Sequence, residues 1–350
     1  MCVDLTAIKF SIILNRMNDS TPDIDSPDYP WASVDPLGET LHFLHMSGVF
    51  YTRSEFTAPW GLALPAFPDC LMFHVVTSGS CWLEIEGTEP HLLQPGNLAL
   101  VPHGEGHRLL SEPGVPAAML FDLPREQISE RYEILRHGQG GTAANMICGT
   151  VRFDHPAAHQ LVRLLPKLIC IEAWQSPQME WIQSTLRLMA TEARVMRPGG
   201  ETIITRLADI LVIQTIRSWM AEDPSAQTGW LGALQDKQIG YAILLIQREP
   251  ARAWTVASLA KEVAMSRSAF AARFKKLVGE SPLQYVTRWR MNLALTWLRN
   301  EGVTVVELAD RLGYQSEAAF SRAFKRFIGV SPGAARRKGE EAGDLTSEVC

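Results

Sequence analysis

The stretch Leu308-Ala-Asp-Arg-Leu-Gly-Tyr-Gln-Ser-Glu-Ala-Ala-Phe-Ser-Arg-Ala-Phe-Lys-Arg-Phe-Ile-Gly-Val-Ser-Pro332 restricts the fold of this chain more than any other. It predicts two short helices around a tight turn. Leu308, Ala309 and Leu312 give the first an apolar stripe, and Gly313 stands where that helix should stop, since glycine takes positive φ at a helix end without steric cost. Ser316 offers an N-cap hydroxyl to a second helix. That helix is expected to bury Phe320, Phe324 and Phe327 at i, i+4 and i+7, leaving Glu317, Ala318, Ser321, Arg322 and Lys325 on its open face. Such a pair is a helix-turn-helix, whose second helix can enter the major groove of DNA.

The pattern occurs twice. Thr255 to Pro282 aligns with Thr304 to Pro332: Leu259, Ala260 and Val263 match Leu308, Ala309 and Leu312, and Phe270, Phe274, Gly279, Ser281 and Pro282 match Phe320, Phe324, Gly329, Ser331 and Pro332. The second unit's one extra residue falls in the turn, where insertions do least harm. With this repeat, residues 236–338 resemble the DNA-binding domain of the AraC/XylS family of bacterial transcription regulators, two helix-turn-helix units joined by a long helix. Here the joining helix is expected over Leu283 to Arg299, with Met291, Ala294, Leu295 and Leu298 inward.

The resemblance implies base-edge contacts at Ser268, Ala271 and Ala272 in the first unit and at Glu317, Ala318, Ser321 and Arg322 in the second. Two alanines can touch thymine methyls but cannot make bidentate hydrogen bonds, whereas Arg322 suits guanine and Glu317 a cytosine amine. Arg267, Lys275, Lys325 and Arg326 are better placed for phosphate, which positions a protein without reading sequence. The plain alternative for each is a solvated charge on a helix face. Two such helices predict two adjacent major-groove segments per chain.

Charge supports this division. The 350 residues carry a net charge of -5, yet residues 236–338 hold 18 Lys and Arg against 8 Asp and Glu, while residues 1–235 hold 15 against 26. A basic segment beside an acidic one fits phosphate contact by the first alone. The six cysteines are scattered, with no C-x-x-C and no zinc-type spacing, and Ile8 to Leu14 is too short for a secretory core or a membrane span. The expectation is a cytoplasmic protein with reduced thiols and no membrane partner. Met1 and Met17 both stand open as starts.

The N-terminal half changes character. Residues 1–35 predict a disordered arm, rich in Pro and Asp towards its end, and Pro36 opens a short helix. From Leu41 to Leu123 short apolar or alternating runs are punctuated by Gly79, Gly87, Gly96 and Gly104, the pattern of a small barrel. Gly96-Asn-Leu-Ala-Leu-Val-Pro-His-Gly-Glu-Gly-His107 resembles the second cupin motif, G-x5-P-x-G-x2-H. The first cupin motif is worn down: His74 supplies its first histidine, but Val76 falls at the second, Ser80 at the glutamate and Gly87 at the final glycine. A three-histidine, one-glutamate metal site is thereby reduced to His74 and His107, fewer ligands than metal sites usually bring. No cofactor is expected, with a divalent metal at this pair as the alternative to two histidines satisfied by hydrogen bonds.

Ala58-Pro-Trp-Gly-Leu, Phe73-His-Val-Val, Gly79-Ser-Cys-Trp-Leu and Ile147-Cys-Gly-Thr-Val-Arg-Phe extend the likeness to the cupin-type sensor of a subgroup of AraC-like regulators, similar to the reactive-chlorine-responsive branch. This implies an effector pocket around His74, Trp82 and His107, and a redox candidate in Cys148, whose alternative is a buried structural thiol. Residues 124–146 read as an interdomain loop, flexible at Gly138-Gln-Gly-Gly-Thr, before a strand returns over Met146 to Phe153. His159 to Ile169 predicts a short helix ended by Pro166.

Gln178 to Met196 places Met179, Ile182, Leu186 and Met189 on one face, and Glu201 to Met220 places Ile204, Leu207, Leu211 and Trp219 on another. Such a pair either forms the homodimer contact, as the resemblance implies, or only covers the barrel's own core. Ala221 to Gly229 has the composition of a flexible linker.

The fold class expected is α+β: an N-terminal cupin-like β-barrel with flanking helices and a C-terminal all-α domain of two helix-turn-helix units. Its parts are an arm (1–35), a sensor barrel (36–156), a helical dimerisation region (157–220), a linker (221–235), the DNA-binding domain (236–338) and an acidic tail (339–350). The function expected is a sequence-specific transcription regulator and activator, not an enzyme, with double-stranded DNA, RNA polymerase, a small-molecule or oxidant effector and a second copy as partners. The alternatives are a cupin metalloenzyme fused to a DNA-binding module, and a DNA-binding protein whose barrel only dimerises.

Overall fold

The computed structural model describes residues 34–42, 46–67, 70–129, 131–153, 156–172, 180–195, 197–300 and 303–337. Residues 1–33 of the expected arm, the acidic tail, Cys2, Cys350, His45, Met179, Met196 and the side chains of Ile182 and Leu186 lie outside the described residues.

Twelve strands among the described residues form two sheets. The larger contains β1 (Met46–Thr57), β3 (Cys70–Ser78), β6 (Asn97–Val101), β9 (Arg125–Ser129), β10 (Tyr132–Gly138), β11 (Ala143–Phe153) and β12 (Ile169–Glu172), in the order β12-β6-β3-β11-β1-β10-β9. The smaller contains β2 (Gly61–Leu64), β4 (Cys81–Ile85), β5 (His91–Leu93), β7 (His107–Leu110) and β8 (Ala118–Met119), in the order β5-β4-β7-β2-β8. Successive strand residues point to opposite faces, so each strand divides its side chains between two cores. On β3, Met72 and Val76 join Phe56, Trp60, Leu83, Val101, Leu109 and Met146 in the lumen between the sheets. Leu71, Phe73 and Val75 of the same strand face outward into a second core beneath helices.

The stretch 124–146 corrects the sequence reading, because it is sheet rather than interdomain loop. β9 and β10 form an antiparallel pair, and β10 runs parallel to β1 over Tyr51–Thr57. Tyr132, Glu133, Ile134 and Leu135 are buried, and burial of that run outweighs the loop signal of the glycines that follow. The helix expected to end at Pro166 is α2 (Pro156–Val162), which stops earlier, and β12 then pairs with β6, so the sheet draws a strand from the stretch read as helical.

The outer core is covered by α1 (Pro36–His42), α2, α3 (Glu180–Val195) and α4 (Gly200–Glu222), the last burying Ile204, Ala208, Leu211, Val212, Ile216 and Met220. Ala221 to Gly229 is compact where a flexible linker was expected. Asp223 caps a 3-10 turn over Pro224–Gln227 and accepts from Trp219 Nε1 at 3.0 Å, and Ala226 is buried. An Asp-Pro-Ser sequence supplies its own cap and fixed φ, which the composition alone did not convey.

The C-terminal domain contains α5 (Gly229–Gln235), α6 (Lys237–Arg248), α7 (Val256–Glu262), α8 (Arg267–Val278), α9 (Pro282–Asn300), α10 (Val305–Arg311) and α11 (Glu317–Ile328), followed by a helical stretch over 332–337. Thr255 forms a reciprocal capping box with Ser258, and Ser266, Thr304 and Ser316 each accept a backbone N–H at a helix start. Gly279 and Gly329 end α8 and α11 at φ 88° and 89°. Phe270, Phe274, Phe320 and Phe324 are fully buried, but Phe327 is a correction: it is 42% exposed, and Ile328 packs against the core in its place at the end of α11. α9 buries Met291, Ala294 and Leu298 as expected, with Leu295 partly covered.

The two halves meet directly. α1 packs on α5 and α6, and α2 packs on α9. Glu39 pairs with Arg248 through Nε at 2.9 Å, and Arg288 donates to Gln160 at 3.2 Å. No helix among the described residues is long and apolar enough to cross a membrane.

Candidate nucleic-acid interface and sensor lumen

The open faces of α8 and α11 are built alike. A serine cap starts each helix, paired phenylalanines anchor it, and the opposite face is left open. Arg267, Ser268, Ala272 and Lys275 on α8 are exposed, with Ala271 half-buried; on α11, Glu317, Ala318, Arg322, Lys325 and Arg326 are exposed, with Ser321 half-buried. All eleven residues expected to touch DNA are therefore on the faces assigned to them. An open groove of ≈ 380 Å³ borders α11, lined in part by Glu317, Ser321, Arg322 and Lys325 and closed on its far side by Val305 and by Ser331, Pro332 and Gly333, where Ser331 caps a helical stretch over 332–337. That helix start borders the same groove as the α11 face and went unread in the sequence, where Ser-Pro registered only as part of the repeat.

Ion pairing separates two kinds of basic residue. Arg252 pairs with Glu262, Arg273 with Asp236, Arg288 with Glu280 and Arg311 with Glu307. The side chains of Arg267, Lys275, Arg322, Lys325 and Arg326 have no ion pair or hydrogen bond among the described residues. Paired arginines brace the domain, while these five side chains stand open on α8 and α11, as do Lys276 on α8 and Arg337 after α11, where they can neutralise phosphate or read a base edge.

In the barrel, one row of paired residues crosses the large sheet: Cys170 beside Ala99, Ala99 beside His74, His74 beside Cys148, Cys148 beside Thr52, and Thr52 beside Glu133. Register partners share a face, so these side chains all turn towards the lumen. His107, from the smaller sheet, closes on the row. Its Nε2 lies 2.7 Å from Nε2 of His74, and its Nδ1 lies 2.8 Å from the Glu105 carbonyl. A carbonyl only accepts, so His107 carries its proton on Nδ1 and accepts at Nε2 from His74. Nδ1 of His74 is then a bare acceptor, buried and without a hydrogen-bond partner among the described residues. Burial holds both imidazoles below their ordinary pKa, and His107 adds to the effect on His74.

The sulfurs lie alongside. Cys81 Sγ is 3.4 Å from Met146 Sδ, and Ser54 Oγ approaches Cys148 Sγ at 4.0 Å. Burial pushes the Cys148 thiol up to about 12, so it is a thiol and not a thiolate near neutral pH. Burial also raises Cys81 and Glu133, whose carboxylate accepts from Thr52 at 3.1 Å and faces Arg125 at 3.5 Å. Cys81, which with Cys70 is the nearest sequence candidate for a second redox cysteine, does lie in the lumen, whereas Thr52, Ser54 and Glu133 were missed in the sequence. Counting strand parity would have reached Glu133 only with β10 recognised.

Trp82 does not join this site. β4 buries Cys81, Leu83 and Ile85 towards the lumen, and the two-residue period turns Trp82 to the opposite face, beside Leu92 and Leu110. The donors also fall short of the cupin ligand set of three histidines and a glutamate. The two Nε2 atoms are bonded to each other, Val76 occupies the second histidine's place, and Ser80 is exposed in the turn after β3. Among the described residues no three His, Cys, Asp or Glu converge on a point. His103 instead meets the Leu165 carbonyl at 2.9 Å, and His91 is exposed.

Comparison with known proteins agrees with both halves. Residues 35–221 match the Cupin family, and residues 259–338 match the Helix-turn-helix domain family. The chain is 35% identical over 315 residues to an AraC-like transcription regulator of Streptomyces lividans, covering 87% of this chain and 98% of that one. It is 30% identical to the HTH-type transcriptional regulator AlkR of Acinetobacter baylyi, over 85% of this chain and 98% of that one. It is 28% identical to the RCS-specific HTH-type transcriptional activator RclR of Escherichia coli, over 77% of this chain and 84% of that one.

Proposed function

The chain belongs to the AraC-like transcription regulators, and from that premise we propose that it is a dimeric, cytoplasmic activator whose barrel takes a chemical signal and whose helices α8 and α11 read neighbouring segments of one operator. The observation that carries the DNA reading is the cluster of exposed, unpaired cations on α8 and α11, Arg267, Lys275, Arg322, Lys325 and Arg326 among them. Arg322 with Ser321 supplies hydrogen-bonded base readout from α11. Ser268, Ala271 and Ala272 supply mainly apolar contact from α8. Arg267, Lys275, Lys325 and Arg326 take phosphate.

The pairing surface in this reading is the outer side of α3 and α4. Leu188 and Val195 on α3, and Ile203 and Ile210 on α4, are each spaced by seven residues and each 41–50% exposed. Aliphatic stripes left open on two adjacent helices fit an isologous contact with a second copy. The likeness to RclR supports an oxidant as the signal, and the lumen row His74, Cys148, Thr52 supports entry at the barrel. Since Cys148 is buried and protonated, an oxidant would have to reach it as a small neutral molecule or through opening of the barrel. RNA polymerase is the partner an activator requires.

Selection of duplexes from a random library by the full chain tests the reading. The expected product is a two-part motif, and no enrichment over input would sink it. In sedimentation, Ile210→Glu is expected to convert a dimer to a monomer, while an unchanged mass would move the pairing surface elsewhere. Transcription from the selected motif with purified RNA polymerase is expected to rise on adding the chain; a fall would make it a repressor.

A further inference from the structure

The two helix-turn-helix units are joined by α9, and both pack on it. A single helix between two small units leaves them free to tilt unless something else ties them. The structure supplies a second tie. Arg290, midway along α9, donates from Nε to the Pro250 carbonyl at 2.6 Å and from Nη2 to the Arg252 carbonyl at 2.8 Å. Both carbonyls lie in the loop that leads into the first unit. The same guanidinium stands 5.6 Å from the ring centre of Tyr314, in the turn of the second unit. Tyr314 in turn meets Phe320 edge-on at 5.5 Å, so the ring is part of the α11 anchor.

Beside this contact the two units touch backbone to backbone. Gly313 has φ 71°, and a Cβ there would collide with the Ala251 carbonyl oxygen. The loop is itself braced. Arg252 lies 4.0 Å over Trp254 and pairs with Glu262 of α7, and Trp254 donates to the Glu249 carbonyl at 3.0 Å. A fixed loop of unit one, a fixed turn of unit two and a planar cation between them make a bracket.

We propose that Arg290, held between the Pro250–Arg252 carbonyls and Tyr314, sets the spacing between α8 and α11 and so the number of base pairs that can separate the two halves of the operator. It is a positioning residue and touches no DNA: its donors point at backbone oxygens inside the domain. The role is one for arginine, since two parallel donors and a flat face are needed at once, and lysine offers neither. The inference rests on the reading of α8 and α11 as two readers of one duplex.

The test uses the full chain and the duplex it enriches from a random library. The wild type is expected to enrich two half-motifs at one separation. Arg290→Met is expected to bind that duplex about tenfold more weakly, the scale of one lost charge-assisted bond. It should bind duplexes with one base pair inserted or removed between the halves as well as the wild type does or better, and a duplex carrying only the α11 half-motif with unchanged affinity. Gly313→Ala, which pushes the two units apart at the same point, should broaden spacing in the same way. It also serves as the second variant should Arg290→Met fail to fold, with thermal melting checked for each. A variant that keeps the single sharp separation, or loses half-site affinity in proportion, would overturn the bracket. A wild-type chain that enriches only one half-motif would instead sink the two-reader reading beneath it.

Discussion

Arg322→Ala separates base reading from phosphate holding. Arg322 is exposed on α11, borders the groove with Glu317, Ser321 and Lys325, and has no partner within the described protein. Removing it therefore breaks nothing in the fold, and the change in unfolding free energy should stay within about 0.5 kcal/mol. On the selected duplex the loss should be about 1–3 kcal/mol, or roughly 5- to 150-fold in Kd, and it should be concentrated at one base position. Lys325→Ala is the contrast. It should weaken all duplexes by a similar factor and make the salt dependence shallower by about one unit of slope. Fluorescence anisotropy on the selected duplex and its single-base variants, at two salt concentrations, reads both. If Arg322→Ala weakens every duplex equally and flattens the salt slope, Arg322 is a phosphate contact, and the idea that α11 is the more polar reader fails with it.

Two further outcomes follow from the fold. The imidazoles of His74 and His107 are held neutral by burial, so as pH falls below about 6.5 the unfolded chain gains protons that the folded pair resists. Stability is then lost at up to about 1.4 kcal/mol per pH unit for each histidine, levelling off below the folded pKa. Urea unfolding between pH 7.5 and 5.5 should show this slope in the wild type and a shallower one in the His74→Leu, His107→Leu double variant; equal slopes would refute it. Ala264, the counterpart of Gly313 in the first turn, sits at φ 51°, a conformation costing an alanine about 1–2 kcal/mol. Ala264→Gly should raise stability by about 0.5–1 kcal/mol net of the extra freedom glycine has when unfolded, seen as a higher Tm, and a lower Tm would refute the strain.

The helix-turn-helix units were legible because what defines them is local. Ser266 and Ser316 cap, Gly279 and Gly329 terminate, and the phenylalanine pairs repeat at helical spacing, all within about a dozen residues of chain. The open faces could be assigned from the same periodicity. The histidine pair was legible through a motif that spans β6 and β7, with its partner on β3. Trp82 was misplaced because a motif gives neighbourhood in sequence but not strand parity, and one residue of shift turns a side chain through the sheet. β10 was passed over although Tyr132-Glu-Ile-Leu is largely apolar, because the glycine-rich run after it spoke for a loop, and only its parallel pairing with β1, far away in sequence, decides the matter. Arg290 could not be singled out at all. On a helical wheel it is one more surface arginine, and what distinguishes it is two carbonyls forty residues upstream and one ring on the other side of the domain.

The meeting of α1 and α2 with α5, α6 and α9 bears on how this protein can be cut. Leu41, Ala158 and Leu161 belong to one unbroken apolar body with Trp230, Leu234, Ile243 and Trp289. A truncation or a graft made at the segment between α4 and α6 would expose raw apolar surface on both fragments. A chimera that borrows this DNA-reading module would inherit a sticky scar where α1 and α2 used to lie, and a chimera that borrows the barrel would carry two orphaned helices. The serviceable seam for recombining the halves therefore runs through space between α2 and α9, where Gln160 meets Arg288, and has no single position along the chain.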